Sequence, residues 1–257
     1  MLTKCIYFIL IPNQISFKLN FYKKSKIVFE IKKRFDSFIS EELKTKKFLE
    51  IDLFNKNLDK LDDRFLIFSR EDFKIFFDRK IQRYFAQLKE NIFSFDSLLR
   101  VISSLVLIEN NSIFLHSCSI LKNDNKAVLY VGPSGSGKST IAKRYRYVLT
   151  DELSIVVLNK KNLYVYKSPF WGELEPLNYR KVFNKSFIVD KIYFLSGFSD
   201  EAKVEKLTFK EKVELIFKNL FWVVKEKNYN NKIFDVVFSI AKLVPCYKFY
   251  PTYEIQN

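Results

Sequence analysis

The first third of the chain carries short stretches in which apolar residues alternate with polar ones or form brief apolar runs. Such stretches predict β-strands, because a period of two turns one face of a strand toward the core. They fall at residues 6–10, 15–22, 26–33 and 64–69. In residues 71–90 the apolar positions recur at helical spacing, which predicts an amphipathic helix. Residues 1–93 therefore predict an α+β region with a structural or recognition role, since no candidate catalytic group stands out.

The pattern changes near Phe93, where a second region is expected to begin. Ser94 or Asp96 can cap a helix through residues 97–110. An apolar strand SIFLHSCSI, a polar turn and a second strand AVLYV follow, at residues 112–120, 121–126 and 127–131. The 257 residues suffice for one large domain with a smaller one attached. We expect an N-terminal region over 1–93 and an α/β nucleotide-binding domain over 94–257.

Three of the chain's five glycines lie within VGPSGSGKST, at residues 131–140. Residues 132–139 fit the phosphate-loop pattern G-x-x-x-x-G-K-[ST], between the strand AVLYV and a predicted helix KSTIAKRY. Glycines let successive backbone N–H groups curl around a phosphate, and the helix N-terminus adds partial positive charge. Lys138 is expected to reach the β- and γ-phosphates, and the Ser139 hydroxyl to bind Mg²⁺. The predicted ligands of ATP or another nucleoside triphosphate are Gly132, Ser134, Gly135, Ser136, Gly137, Lys138, Ser139 and Thr140.

Two adjacent acids, Asp151 and Glu152, end the apolar stretch YVLTDEL at residues 147–153. If this strand lies parallel and next to 127–131, the acids emerge at the same sheet edge as the loop. One carboxylate can then hold Mg²⁺ and the other can act as a base. An ordinary ATPase, with Glu152 activating water, is the alternative. The acids lie only thirteen positions after Lys138, which weighs against it.

His116 is the only histidine, and it lies on the predicted strand just before the loop strand. A single histidine is more often structural than catalytic. Its predicted place beside the phosphate loop makes the two roles about equally supported.

The formal net charge of +15 is compatible with an anionic partner such as nucleic acid. The basic residues are scattered through the sequence, however, so a generally basic solvated surface is favoured. A nucleic-acid-binding ATPase is the weaker alternative, and we expect no nucleic acid or membrane partner.

The three cysteines are far apart and show no metal-ligand spacing, which predicts free thiols in a reducing compartment. The N-terminal apolar run, Cys5 to Ile11, is too short for a signal core or a membrane span and predicts a strand. A cytoplasmic location is expected.

The succession FLHSCSI, AVLYVGPSGSGKST and VLTDELSIV resembles the catalytic domain of HPr kinase/phosphorylase. It is most similar to the HPr-kinase-like proteins found with peptide-modification systems, in the phosphoenolpyruvate-carboxykinase-like branch of phosphate-loop proteins. Downstream, KSPFWGELE, the stretch from DKIYFL to VELIF, and VPCYKFYP resemble further parts of this family. The resemblance covers roughly residues 94–255.

This resemblance implies a phosphate-loop core of the HPr kinase C-terminal type and an ATP- and Mg²⁺-dependent kinase. The acceptor would be a hydroxyl, either of a serine in a small protein or peptide or of a small molecule. Asp151 and Glu152 would supply the metal contact and the base, Lys138 and the loop would bind phosphate, and His116 would lie near the transferring phosphoryl group. Relatives are often homo-oligomers.

Two departures from the family leave an alternative open. The second acid is Glu152 where the kinase has Asp, and the segment from Lys138 to Asp151 is shorter than in the family. Both are compatible with a catalytically weak, nucleotide-binding scaffold module in a peptide-modification system.

Overall fold

The protein is described from a computed structural model, which forms two compact units, Met1–Ser103 and Ser104–Asn257. We refer to them as the N-terminal and C-terminal units. The described residues are 2–22, 26–42, 48–54, 63–122, 125–173, 185–223 and 227–252.

The N-terminal unit is built on a seven-stranded mixed sheet with the order β3-β1-β2-β4-β7-β6-β5. Strands β2, β4 and β7 run parallel, and the remaining neighbours are antiparallel. The elements are β1 (Leu2–Ile11), β2 (Ile15–Tyr22), α1 (Ile27–Arg34), β3 (Ile39–Ser40), β4 (Leu49–Phe54), β5 (Leu66–Arg70), β6 (Phe73–Asp78), β7 (Arg83–Leu88) and α2 (Ile92–Glu109). Helix α2 continues into the C-terminal unit. The core of the N-terminal unit is rich in phenylalanine: the ring of Phe8 contacts those of Phe17, Phe35 and Phe38.

The strand predicted at residues 26–33 is wrong, because these residues form α1. Its buried residues, Ile27, Val28 and Ile31, share one helical face through their i, i+1 and i+4 spacing. The basic residues Lys32–Arg34 occupy the last turn, where they complement the helix dipole. Apolar spacing in so short a stretch fits both periods.

The helix predicted over residues 71–90 is also wrong, because β6 and β7 form an antiparallel hairpin there. Phe73 and Ile75 are buried and Lys74 between them is exposed, which is the alternation of a strand. Asp78 stabilises the turn by accepting the backbone N–H of Lys80 at 2.8 Å. The strands predicted at 6–10 and 15–22 are confirmed as parts of β1 and β2. The strand predicted at 64–69 is confirmed from Leu66 onward as part of β5, since Asp63–Phe65 form a 3-10 turn.

The C-terminal unit carries a second mixed sheet of eight strands. Its strands are β8 (Ser112–Leu121), β9 (Lys126–Val131), β10 (Val148–Thr150), β11 (Leu153–Asn159), β12 (Asn162–Tyr166), β13 (Ser186–Leu195), β14 (Lys203–Lys206) and β15 (Cys246–Tyr250). Its helices, after the end of α2, are α3 (Lys138–Ala142), α4 (Phe209–Lys218) and α5 (Lys227–Leu243). Helices α4 and α5 contribute buried residues to the main core, among them Ile216, Ile233 and Val237.

Strand β9, which leads into the phosphate loop, lies between β13, to which it is parallel, and β8, to which it is antiparallel. The prediction that 127–131 and 147–150 are neighbours is wrong, because β8 separates β9 from β10. Strand β9 has β8 on one edge and β13 on the other, so no edge of β9 is open to β10. Strand β10 pairs instead along the other edge of β8. Both β9 and β10 are antiparallel to β8, so they run in the same direction. Their carboxyl ends therefore point toward the same end of the sheet.

The helix predicted after the phosphate loop is present as α3, but it ends at Ala142 after five residues. Cys5, Cys118 and Cys246 are free thiols, as predicted. Among the described residues, no helix combines the length and the apolar character that crossing a bilayer requires.

Candidate nucleotide site

The phosphate loop depends on two glycines in the left-handed region, Gly135 at φ 78° and Gly137 at φ 91°. Other L-residues adopt these angles only with strain. A third glycine, Gly132, leaves no room for a side chain, since a Cβ there would lie 2.4 Å from the Ser136 hydroxyl oxygen. That oxygen is buried and has no hydrogen-bond partner in the described protein. The loop therefore closes tightly on itself, with the Ser136 side chain packed against Gly132.

Lys138 is folded back onto the loop that precedes it. Its Nζ donates hydrogen bonds to the carbonyl oxygens of Gly132 and Pro133, at 2.7 and 2.6 Å. Burial lowers the pKa of the Lys138 ammonium, while Cys118, Glu152 and Asp151 act in the opposite direction. The lysine is thus held at the start of the loop.

Asp151 is buried, and backbone amides fix the orientation of its carboxylate. Oδ1 accepts the N–H of Gly172 at 2.8 Å, and Oδ2 accepts the N–H of Glu173 at 2.9 Å. The neighbouring Thr150 hydroxyl donates to the carbonyl of Phe170 at 2.8 Å, so 170–173 is fastened to the end of β10. Each carboxylate oxygen can accept more than one hydrogen bond or metal contact. The amides therefore aim the carboxylate and leave it able to bind a cation.

Glu152 is partly buried and follows Asp151 at the break between β10 and β11. Its backbone carbonyl accepts the N–H of Ser117 from β8 at 3.0 Å. The next residue, Leu153, is paired with His116. The sheet register therefore places Glu152 beside the strand that carries the histidine.

His116 lies in the middle of β8, and its backbone joins two other parts of the site. Its carbonyl accepts the N–H of Gly132 at 3.0 Å, and its own N–H donates to the carbonyl of Asn219 at 2.8 Å. The imidazole makes an edge contact with the ring of Phe221, with centroids 5.9 Å apart. Both the loop and the end of α4 are thus anchored to one histidine residue.

A cavity of about 680 Å³ collects most of these groups in the C-terminal unit. Its volume lies in the range typical of small-molecule sites. It is lined by His116, Pro133, Ser134, Gly135, Gly137, Lys138, Ser139, Thr140, Asp151, Glu152, Gly172, Glu173, Phe198, Lys218 and Asn219. Two of the predicted nucleotide ligands, Gly132 and Ser136, do not line it. The other predicted site residues all do.

Sequence reasoning missed six of the lining residues: Gly172, Glu173, Phe198, Lys218, Asn219 and, within the loop itself, Pro133. For Gly172 the scarcity of glycine in the chain was a usable signal, since each glycine then marks a special backbone position. Gly172 packs against the Asp151 carboxylate, and a Cβ there would lie 3.3 Å from Oδ2. A similar signal points to Phe198, which follows Gly197 and lies against Gly137. Lys218 gave no signal, since it is one of many lysines in the chain.

A divalent cation at this site would need ligands from the nucleotide as well. Among the residues that the structure describes, no group of three or more His, Cys, Asp or Glu side chains is arranged to hold a metal. Mg²⁺ bound with a nucleotide usually takes one or two protein ligands, together with phosphate oxygens and water. The Ser139 hydroxyl and the Asp151 carboxylate, both on the cavity wall, match that demand.

The comparisons with known proteins agree with the loop chemistry. No curated protein matches the chain in sequence. The sequence profile of the PrkA AAA domain matches residues 55–232, more than half of the chain, and this range contains the phosphate loop and both acids. The chain therefore belongs to the PrkA AAA domain family, and it is a phosphate-loop protein of the nucleotide-binding, ATPase-like class.

Proposed function

We propose that this protein is a Mg²⁺-dependent kinase that transfers the terminal phosphoryl group of ATP, or of another nucleoside triphosphate, to a hydroxyl. The acceptor would be a serine of a peptide or small protein, or a small molecule. The observation that carries the proposal is the composition of one cavity wall. It combines the phosphate loop with two adjacent carboxylates, Asp151 and Glu152, and with His116.

The binding roles follow from the loop. Its backbone N–H groups and Lys138 would hold the phosphates, since this is the task of such loops in general. The Ser139 hydroxyl and Asp151 would hold Mg²⁺, which when bound neutralises phosphate charge. Because two amides fix the Asp151 carboxylate, little reorganisation is needed on binding.

Glu152 is the proposed base. It would accept the proton of the acceptor hydroxyl as that oxygen bonds to the terminal phosphorus and the bond to the β-phosphate oxygen breaks, releasing the nucleoside diphosphate. Glu152 is only partly buried, which leaves it accessible to an acceptor entering the cavity. His116 would lie near the phosphoryl group in transfer, since its backbone is bonded to the first glycine of the loop.

The finer assignment is an HPr-kinase-like Ser kinase with a phosphoenolpyruvate-carboxykinase-like core. Its support is the order of elements along the chain. A strand with histidine is followed by the loop strand, the loop, a short helix and a strand that is directly followed by two acids. The resemblance of these motifs to HPr kinase favours transfer to a hydroxyl over transfer to water.

The test is acceptor-dependent transfer of label from γ-³²P-ATP, with free L-serine and a library of serine-containing peptides as acceptors. We expect transfer by the wild type and its loss in Lys138→Ala and Asp151→Asn. Lys206→Ala, an exposed lysine on β14, is the matched control and should keep full activity. Release of labelled phosphate at one rate with and without acceptors would identify an ATPase and refute the kinase.

A second candidate is a nucleotide-dependent scaffold, with residues 1–93 contacting a peptide or partner enzyme. It is favoured by the five-residue α3 and by the Lys138 ammonium, which donates to two loop carbonyls. A scaffold predicts micromolar nucleotide binding with neither transfer nor hydrolysis. Isothermal titration beside a turnover assay separates it from the kinase.

A further inference from the structure

Two lysines line the nucleotide cavity, Lys138 of the phosphate loop and Lys218. Lys218 is the last residue of α4, far from the loop in sequence. Its side chain makes no ion pair or hydrogen bond in the part of the chain that the structure describes. Lys210 on the same helix, in contrast, approaches the Glu214 carboxylate at 3.9 Å. Within the described part of the chain, no carboxylate engages the Lys218 ammonium.

The fold holds the backbone of Lys218 firmly in this place. The next residue, Asn219, is buried and ends α4, with its side-chain amide donating to the carbonyl of Leu215 at 2.8 Å. The chain then pairs with the first half of β8 through a bridge between Leu220 and Leu115. The end of α4 therefore continues the edge of β8 at the point where β9 leaves it.

One histidine links this segment to a defined end of the phosphate loop. In phosphate loops the conserved lysine reaches the β- and γ-phosphates. Since Lys138 Nζ is bonded to the carbonyls of Gly132 and Pro133, the terminal-phosphate end of the loop is its start, where Pro133 lines the cavity. Gly132 donates to the carbonyl of His116, whose N–H donates to Asn219. Lys218 directly precedes Asn219 in the chain, and Asn219 is bonded through His116 to the start of the loop. Lys218 therefore lies close to the terminal-phosphate end.

We propose that Lys218 is a catalytic residue that contacts the terminal phosphoryl group of the bound nucleoside triphosphate. Lys218 supplies a second positive charge there, in addition to that of Lys138, from a segment far from the loop in sequence. The proposal rests on the proposed function only in taking a nucleoside triphosphate as the substrate. It requires Lys218 to distinguish a triphosphate from a diphosphate, because only the former has the group it contacts.

The experiment compares ATP and ADP affinities of the full chain, measured by isothermal titration with Mg²⁺. Lys218→Ala should weaken ATP about tenfold, the usual size of a charge-assisted hydrogen bond, and leave ADP unchanged. Lys218→Arg should restore most of the ATP affinity, because it keeps the charge. Lys210→Ala, an exposed lysine of the same helix, should change neither affinity. Urea unfolding should give one midpoint for all four proteins, since Lys218 is exposed.

Equal weakening of ATP and ADP would overturn the proposal, since Lys218 would then contact the inner phosphates or act on structure. Unchanged ATP affinity in Lys218→Ala would overturn it as well. The kinase proposal fails separately. If the wild type transfers no phosphate to any acceptor but Lys218→Ala still weakens ATP alone, the kinase is refuted and the Lys218 contact is supported.

Discussion

The two units hold their buried aspartates in different ways. In the N-terminal unit, Asp52 accepts hydrogen bonds from Arg83 and Asn20, at 2.9 Å each on Oδ1. Asp96 there is clasped by Arg34 at 2.9 Å and by Arg100. In the C-terminal unit, Asp151 accepts two backbone N–H groups instead. An arginine neutralises a carboxylate, whereas an amide orients it without adding a unit charge. The first arrangement pairs the carboxylate with a unit positive charge, and the second fixes its orientation through backbone dipoles.

The two units also differ in their glycine content. The N-terminal unit has no glycine, and Asn13 and Gln82 take its positive φ values. All five glycines lie in the C-terminal unit: three in the phosphate loop, Gly172 on the cavity wall, and Gly197 next to the cavity residue Phe198. Backbone freedom in this chain is concentrated at its site.

The largest expected effect is on activity. Asp151→Asn should lower phosphoryl transfer about a thousandfold, because the Mg²⁺ ligand loses its charge. The Asn side chain has a single acceptor oxygen, so its NH₂ group would face one of the two backbone N–H groups, and the free energy of unfolding should also fall, by about 1–3 kcal/mol. Asp190→Asn, which removes a partly exposed carboxylate near Lys126 and Lys191, is the control. Full activity of Asp151→Asn would contradict the metal-binding role of Asp151, and with it the proposed difference between the aspartates of the two units.

The converse change should affect stability and leave binding alone. Asp52→Ala leaves Arg83 with Glu50, at 2.8 Å, as its remaining carboxylate. The free energy of unfolding should fall by about 2 kcal/mol, below the full cost of breaking a buried pair. Urea denaturation measures this loss, and ATP titration should give the wild-type affinity. Glu71→Ala, whose carboxylate is 93% exposed, should change stability by less than about 0.5 kcal/mol.

A smaller effect tests the glycine contrast. Alanine at Gly137 is strained by its φ, and its Cβ would lie 2.9 Å from Cζ of Phe198. Alanine at Gly135 is strained but meets no atom within 4 Å. We expect Gly135→Ala to weaken ATP binding about tenfold, in line with about 1–2 kcal/mol of strain, and Gly137→Ala to weaken it further.

Phe198→Leu combined with Gly137→Ala should return the affinity to that of Gly135→Ala, because it removes the clash. Gly197→Ala carries similar strain, at φ 92°, next to the cavity and outside the loop. It should lower stability while ATP affinity is kept. Equal affinities for the two loop variants would show that Phe198 does not constrain the loop.

The smallest effect is on acid stability. Hydrogen bonds from Arg70 hold the pKa of Asp72 well below its usual range, with Ser94 adding a second donor. A folded pKa below the unfolded one gives stability that is present above about pH 3.8 and is lost as the pH falls further. Asp72→Asn should therefore flatten the fall of the urea midpoint between pH 4 and pH 2, by about 1 kcal/mol or less. Glu71→Gln is the matched control, and an unchanged slope in Asp72→Asn would contradict the assignment.

Short apolar stretches were the limit of sequence reasoning. At residues 26–33 and 71–90 the spacing fits both a helix and a strand, and the partner surface decides between them. Residues 27–34 form a helix with Ile27, Val28 and Ile31 buried. Residues 71–90 split at the Asp78 turn and pair with each other. The phosphate loop, with its leading strand and following helix, could be predicted from the sequence because the glycines there follow a local spacing pattern.

The sequence by itself therefore determined the loop and the adjacent acids. These depend on contacts between residues close in the chain. Only the tertiary structure decided that β8 separates β9 from β10, that the amides of residues 172 and 173 aim Asp151, and that Lys218 lies beside His116. These features arise from strand pairing between distant segments. Pairing is set by which sheet edges remain open, and no local pattern records that.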